Sequence, residues 1–463
     1  MLAVSSEGGA VFNNPHYRYF SVAAALASAY FGLWAGAYVA VRNGICLAAT
    51  GEFFYWAIAA VDISMLLTVA SYSSGFVFHD RGRLRHFTSR ASIIIALLAL
   101  ALFSSVIINL WLTILAPTDA WDGLDYWATA AAGISQCSID SSDILLQNNR
   151  RHGVFLPVGL SLYSSSRVLA VPLSSVITPA FFFGVTASIM MFSVSMAATR
   201  SAMIALITVL VFWSIPLLEN QLINFVYSEV YISIFGLMAV LCYLAAKLFG
   251  RSWLTVPAIF FSICPLFIRN TGWSYSFVFL MGIAAASVIG ALSTQPLKTK
   301  QIAYLFMLFA AAAFGVFVIS AFPKLLAGKW IIFGKQLGPS FASVESILIN
   351  EYYSLFANSS FLTLSLIVLT GIASLFMAMR SKKLDSAVLL AAPLSILVVG
   401  VLLILISQLT NHGYPHAIPT NDTGNTLFTL PFMVISVALI PIIFRVGASG
   451  DGTDKVTQGG RLN

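Results

Sequence analysis

Residues 226–249 read Val226-Tyr227-Ser228-Glu229-Val230-Tyr231-Ile232-Ser233-Ile234-Phe235-Gly236-Leu237-Met238-Ala239-Val240-Leu241-Cys242-Tyr243-Leu244-Ala245-Ala246-Lys247-Leu248-Phe249. Glu229 and Lys247 bound the run, and no charge lies between them. As a helix, a run of this length crosses a hydrocarbon core of about 30 Å. In lipid the backbone must satisfy its own hydrogen bonds, which forces an apolar run into a helix. The period-2 alternation of an outer-membrane strand is absent.

Similar runs recur on both sides. The expected spans are 18–41, 53–73, 91–116, 174–195, 199–217, 226–249, 252–268, 272–292, 301–322, 358–380, 386–408 and 427–445. The expectation is an all-α, polytopic transmembrane helical bundle of about 12 spans, with short interfacial helices in its outer loops. One domain, residues 1–446, precedes a Gly-rich tail, 447–463, expected to be disordered.

Composition agrees. Of the 463 residues 59% are hydrophobic and 9% charged, with a mean hydropathy of +0.91, whereas soluble domains carry about 25% charged residues. The net charge of +7 does not indicate nucleic acid, because most Lys and Arg fall in short loops, as the positive-inside bias requires. The loop holding Arg81, Arg83, Arg85 and Arg90 marks the cytoplasmic side. Lys247 with Arg251, Lys298 with Lys300, Arg380 with Lys382 and Lys383, and the tail residues Arg445, Lys455 and Arg461 alternate onto that side. Both termini are therefore expected in the cytoplasm, and the chain in the inner (cytoplasmic) membrane.

Acidic residues gather on the other face: Asp119, Asp122, Asp125, Asp140, Asp143, Glu219, Glu229, Glu345, Glu351 and Asp422. Asp and Glu contribute little to orientation, so the clustering reads as a water-facing site. The plainer reading is that outer loops are simply solvated. Cys242 and Cys264 fall inside spans as small hydrophobes. Cys46 and Cys137 fall in outer loops, where a disulfide between them suits an oxidising compartment.

Pro117-Thr118-Asp119-Ala120-Trp121-Asp122-Gly123-Leu124-Asp125-Tyr126-Trp127 opens the first long outer segment. In a helix, Asp119, Asp122 and Asp125 share a face. Carboxylates there can act as a general base or hold a divalent cation, which makes that ion the one candidate cofactor. Asn148-Asn149-Arg150-Arg151-His152 follows, ahead of the apolar stretch Gly153 to Ala170, which is expected to lie in the interface as an amphipathic helix. Outward arginines suit a phosphate or simply a headgroup. Tyr227-Ser228-Glu229 and Arg269-Asn270-Thr271-Gly272-Trp273 sit at outer span ends, where Glu229 and Arg269 need water or partners, each other included. Asp62 lies within the second span and is either functional or a hydrogen-bonded structural acid. His412-Gly413-Tyr414-Pro415-His416 is a poor metal pair, because Gly and Pro break the helix that would align the two rings. Asn358-Ser359-Ser360 and Asn421-Asp422-Thr423 match a glycosylation acceptor pattern with many false positives.

The order of these clusters resembles that of polytopic glycosyltransferases of the GT-C class, such as lipid A aminoarabinose transferases and protein mannosyltransferases. Trp121-Asp122-Gly123-Leu124-Asp125-Tyr126-Trp127 is similar to their acidic-aromatic motif, with Trp127 where His often stands. Arg151-His152-Gly153-Val154-Phe155-Leu156-Pro157 is similar to their basic, Pro-containing stretch but lacks the double proline. Val226-Tyr227-Ser228-Glu229-Val230-Tyr231 and Arg269-Asn270-Thr271-Gly272 occupy the places of two later motifs, with Thr271 where Glu is common. The resemblance covers roughly residues 90–290. It implies a polyprenyl-phosphate-sugar lipid donor, a glycan or lipid acceptor, surrounding membrane lipids and no nucleic acid. It implies Asp122 as general base, supported by Asp125 and Asp119. Arg150, Arg151 and Arg269 would stabilise the leaving phosphate, with Lys324 and Lys329 in reserve, and His152, Tyr227, Glu229 and Asn270 would complete the substrate site. The competing readings are a surface-polysaccharide polymerase or ligase, whose late-loop arginines are missing here, and a transporter or flippase.

Overall fold

The computed structural model describes residues 14–79, 94, 97–104, 129–135, 155–164, 178–215, 218, 228–269, 272–293, 331–332, 335–336, 359–380, 384–409 and 423–448. Among these, the structure is helical apart from turns and one two-residue antiparallel pair, Ile331–Ile332 with Lys335–Gln336. Among the described residues, four helices are long and apolar enough to cross a membrane: Pro15–Arg42, Pro179–Thr199, Ser228–Leu248 and Leu430–Gly447. The expected spans 91–116 and 301–322 lie outside the described residues, except for helical positions 94 and 97–104.

Helix α1, Pro15–Arg42, begins where Asn14 accepts a hydrogen bond from the His16 N–H (3.0 Å) and Pro15 takes the first turn. Both are ordinary start signals, since an N-cap side chain satisfies an orphan N–H and proline has none to satisfy. Helix α2, Leu47–His79, runs back beside α1 and is longer at both ends than the expected span. Two short helices follow, α3 (Thr129–Ser135) and α4 (Phe155–Ser164), packed on each other. Helix α5, Thr178–Thr199, and α6, Ala202–Trp213, are joined at Arg200, whose φ of +54° lies in the left-handed region. Ser201 and Ser214 cap α6 at 12 residues. That is about 18 Å at 1.5 Å per residue, too short to span alone.

Helix α7, Ser228–Leu248, is the central post. Every residue from Ser228 to Ala246 is buried. A helix apolar on all sides belongs in the middle of a bundle, and α7 packs on α1, α5 and most of the helices that follow it. A 3₁₀ turn, Ser252–Leu254, leads into α8, Thr255–Ile268, and then α9, Gly272–Ser293. The remaining helices are α10 (Ser359–Arg380), α11 (Leu384–Leu409), α12 (Thr423–Ser436) and α13 (Ile440–Ala448), the last two linked through a 3₁₀ turn, Val437–Leu439.

Small residues set the tightest crossing. Gly282 of α9 lies against the backbone of Ile396 in α11, where an added Cβ would meet the Ile396 Cα at 2.7 Å, and Ser395 Oγ–H donates to the Gly282 carbonyl (2.6 Å). In lipid, helices associate by such close packing and interhelical hydrogen bonding, because hydrocarbon tails are as apolar as leucine. An aromatic cluster fills the interior between α1, α4, α5 and α7. Trp34 meets Phe183 at 5.7 Å and Tyr231 at 5.6 Å, and Phe31 meets Phe155 at 5.1 Å and Phe235 at 5.4 Å.

Of the stretch 153–170 expected as an interfacial amphipathic helix, residues 155–164 form α4 and the rest lies outside the described residues. Residues 155–162 are all buried, leaving no face for headgroups. Gly159 rests on the Trp34 indole so closely that a Cβ would lie 2.4 Å from the ring. The stretch Phe155-Leu156-Pro157-Val158-Gly159-Leu160-Ser161-Leu162 has no polar stripe to hold it at a surface, and its one buried hydroxyl, Ser161, turns back onto the Val158 carbonyl (2.7 Å). Cys46 is disulfide-bonded, and Cys242 and Cys264 are buried free thiols, as expected of small hydrophobes within spans. Cys137 lies outside the described residues.

Candidate functional site

The site is built where α7 begins and α8 ends. Ser228 and Glu229 form the first turn of α7, where the helix dipole favours a carboxylate. Ser228 Oγ–H donates to Glu229 Oε2 (3.0 Å), and Arg269 Nη1–H donates to Glu229 Oε1. The Glu229 side chain is 3% exposed and that of Arg269 13%. Neither charge is left to water alone. Pairing offsets part of the penalty for holding two ions at such depth, and loss of one partner would leave the other uncompensated.

Arg269 reaches Glu229 because α8 stops one residue earlier. Pro265 lies inside the last turn of α8 and supplies no N–H to the ladder. Arg269 leaves the helix in an extended conformation (φ −147°, ψ 145°), its N–H donating to the Pro265 carbonyl (3.3 Å). The Gly272 N–H then donates to the Arg269 carbonyl (2.8 Å) and closes the turn into α9. Gly272 is required by close approach, because a Cβ there would lie 1.7 Å from the Pro265 carbonyl oxygen. Pro265 and Gly272 together form a tight corner that presents a single arginine.

Two neighbours complete the geometry. Tyr275, one turn into α9 and fully buried, is in electrostatic reach of both Glu229 and Arg269. Phe155, the first residue of α4, packs on Phe267 at 5.8 Å, two residues before Arg269. It also packs on Tyr38 at 5.6 Å, near the end of α1. The N-terminus of α4 is thereby brought to the corner that holds Arg269.

Of the residues expected in a site, the structure brings Glu229 and Arg269 together across forty positions of sequence. Asp119, Asp122, Asp125, Arg150, Arg151, His152, Tyr227, Asn270, Lys324 and Lys329 lie outside the described residues, as do His412 and His416. Tyr227 and Asn270 are the chain neighbours of the two segments that carry the pair. Asp62 is half-buried in the interior of α2. Among the described residues no group of three His, Cys, Asp or Glu side chains gathers that could hold a metal ion. The residues proposed for a divalent cation, Asp119, Asp122 and Asp125, are not among those described. Tyr275 was not singled out from sequence; its position one turn after Gly272 was the available signal. Phe155 gave none, because an apolar residue at the head of an apolar stretch does not show its partner.

No protein-family model matches the chain, and no curated protein or solved structure matches it.

Proposed function

We propose that the protein is a polytopic membrane glycosyltransferase acting at the outer face of the cytoplasmic membrane, with about 12 spans and both termini in the cytoplasm. It moves a sugar from a polyprenyl-phosphate donor to an acceptor hydroxyl. Asp122 takes the hydroxyl proton as the acceptor oxygen attacks the anomeric carbon. The new C–O bond forms as the bond to the phosphate breaks on the opposite side, so configuration inverts and polyprenyl phosphate leaves. Cations positioned where that negative charge develops lower the barrier.

The observation that carries this reading is the buried Glu229–Arg269 pair beside the start of α4. In the sequence Arg150 and Arg151 come shortly before Phe155, the first residue of α4, which packs two residues from Arg269. The disulfide at Cys46 supports the same sidedness, because it belongs to an oxidising compartment and follows the end of α1 directly.

The short helices α3 and α4 favour a second reading. Non-spanning helices packed within a bundle are also a feature of transporters, where helix ends line a substrate path. Transfer of sugar from a synthetic polyprenyl-phosphate donor by the purified protein separates the two. Release of polyprenyl phosphate by the wild type, lost in a folded Asp122→Asn variant, supports the transferase. Equal turnover by both removes Asp122 as the base. No turnover with any donor, together with flux across liposomes, replaces the reading with transport.

A further inference from the structure

Both carboxylate oxygens of Glu229 are occupied. Arg269 Nη1–H donates to Oε1, and Ser228 Oγ–H donates to Oε2 (3.0 Å). Ser228 is itself buried. What exposure the ion pair retains belongs to the arginine, at 13% against 3% for the carboxylate. A ligand approaching the pair therefore meets the guanidinium before the carboxylate. A guanidinium only donates, in a planar fork that matches the oxygens of a phosphate.

The surroundings fix where that cation stands. The corner at Pro265 and Gly272 sets its backbone. Ser276 Oγ–H donates to the Ile263 carbonyl (3.4 Å) and ties the start of α9 to α8. Tyr275 is buried and in electrostatic reach of both charges. An arginine already held by a carboxylate has less side-chain freedom to lose when it binds an anion.

We infer that Glu229 is a positioning residue, which acts on the ligand only through Arg269 by aiming its guanidinium at a phosphate group. The inference rests on the transferase reading for the identity of that group, the phosphate of the lipid donor. It separates Glu229 from Asp122: with both oxygens engaged, Glu229 neither takes a proton nor contacts the sugar. The two ways a carboxylate can affect a neighbouring arginine have opposite signs. Acting only as a negative charge, it would oppose anion binding, and its loss would tighten the complex. Acting to orient the fork, it favours binding, and disturbing it weakens the complex.

The test is isothermal titration calorimetry of the purified full chain with farnesyl phosphate, on folded protein recovered by size-exclusion chromatography. The wild type is expected to bind farnesyl phosphate and not farnesol. Arg269→Met should weaken binding about thirtyfold, the scale of one hydrogen bond to a charged group. Glu229→Asp keeps the charge that Arg269 needs but displaces the fork, and should weaken binding about fivefold. Glu229→Gln with Arg269→Met should bind no worse than Arg269→Met alone, because Glu229 has nothing left to position. Arg380→Gln, an exposed cation at the end of α10, should leave binding unchanged. If Glu229→Asp does not fold, Ser228→Ala carries the test. It keeps both charges, releases one carboxylate oxygen and should weaken binding about twofold. Unchanged or tighter binding in the variant that folds overturns the inference, as does a wild type that does not bind. A further loss in the double variant overturns it too, by showing that Glu229 meets the ligand itself. Inorganic phosphate binding as tightly as farnesyl phosphate, with the same response to Glu229→Asp, keeps the positioning role and removes the lipid donor. Sugar transfer by a Glu229→Asp variant whose binding is unchanged keeps the transferase and removes the positioning role.

Discussion

Where α7 begins, the buried Glu229 is paired with Arg269, which is only slightly exposed, with Ser228 donating to the carboxylate and Tyr275 close behind. Where α1 begins, Arg251 lies over the Tyr17 ring, while Arg18 and Lys247 are exposed. One end therefore holds its charge by internal pairing and the other by aromatic contact and exposure. The energetic consequences differ. A buried pair is sensitive to loss of either member, because the survivor is left in a medium that solvates it poorly. Removing the Tyr17 ring takes away the cation–π contact with Arg251.

That contrast can be broken most severely at the corner that sets the pair. Gly272→Ala drives a Cβ into the Pro265 carbonyl; the α8–α9 turn must open, and little folded protein is expected from detergent extraction, scored by size-exclusion chromatography. Arg269→Ala leaves Glu229 buried and uncompensated, and is expected to cost about 3–5 kcal/mol, read from denaturant unfolding. The double variant Glu229→Gln with Arg269→Met should recover part of this, and a fully additive loss would show that the two charges are not coupled. Gly159→Ala presses on the Trp34 ring, and about 1–3 kcal/mol of overpacking is expected from thermal unfolding. The smallest effects belong to the other end. Trp253→Phe removes the hydrogen bond to Tyr17, at about 0.5–1.5 kcal/mol by the same measurement. A Trp253→Phe loss as large as that of Arg269→Ala would erase the distinction between the two ends.

Much of this arrangement was legible in the chain. The alternation of apolar runs with basic loops puts the start of α7 and the end of α8 on one face, so Glu229 and Arg269 were candidates for each other before their distance was known. Their isolation helped, because an ion at a span end needs a partner. The alternation also puts the start of α1 with the ends of α2 and α5. There Tyr72 Oη lies 2.7 Å from His16 Nδ1 and accepts a hydrogen bond from Ser193 (3.3 Å). The burial of α4 was not legible. An amphipathic helix in the interface and an apolar helix inside a bundle can begin from similar compositions, and the burial of residues 155–162, with Gly159 against Trp34, separates them. Tyr275 was nearly as hidden, its place one turn after Gly272 being the one signal, since an aromatic residue in an apolar helix does not announce a charged neighbour.

The sequence by itself determined that the chain folds as apolar helices, and roughly where they start and stop. A backbone in hydrocarbon has no other way to satisfy its hydrogen bonds, and charges are costly anywhere but the ends. Only the tertiary structure decided which apolar faces meet protein and which meet lipid. It made α7 the central post, folded α4 inside, and closed the pair at Glu229 and Arg269 through the turn at Pro265 and Gly272. Lipid tails and leucine side chains are equally apolar, so hydropathy cannot tell these surroundings apart. Close packing, read atom by atom at glycines 159, 272 and 282, makes the choice.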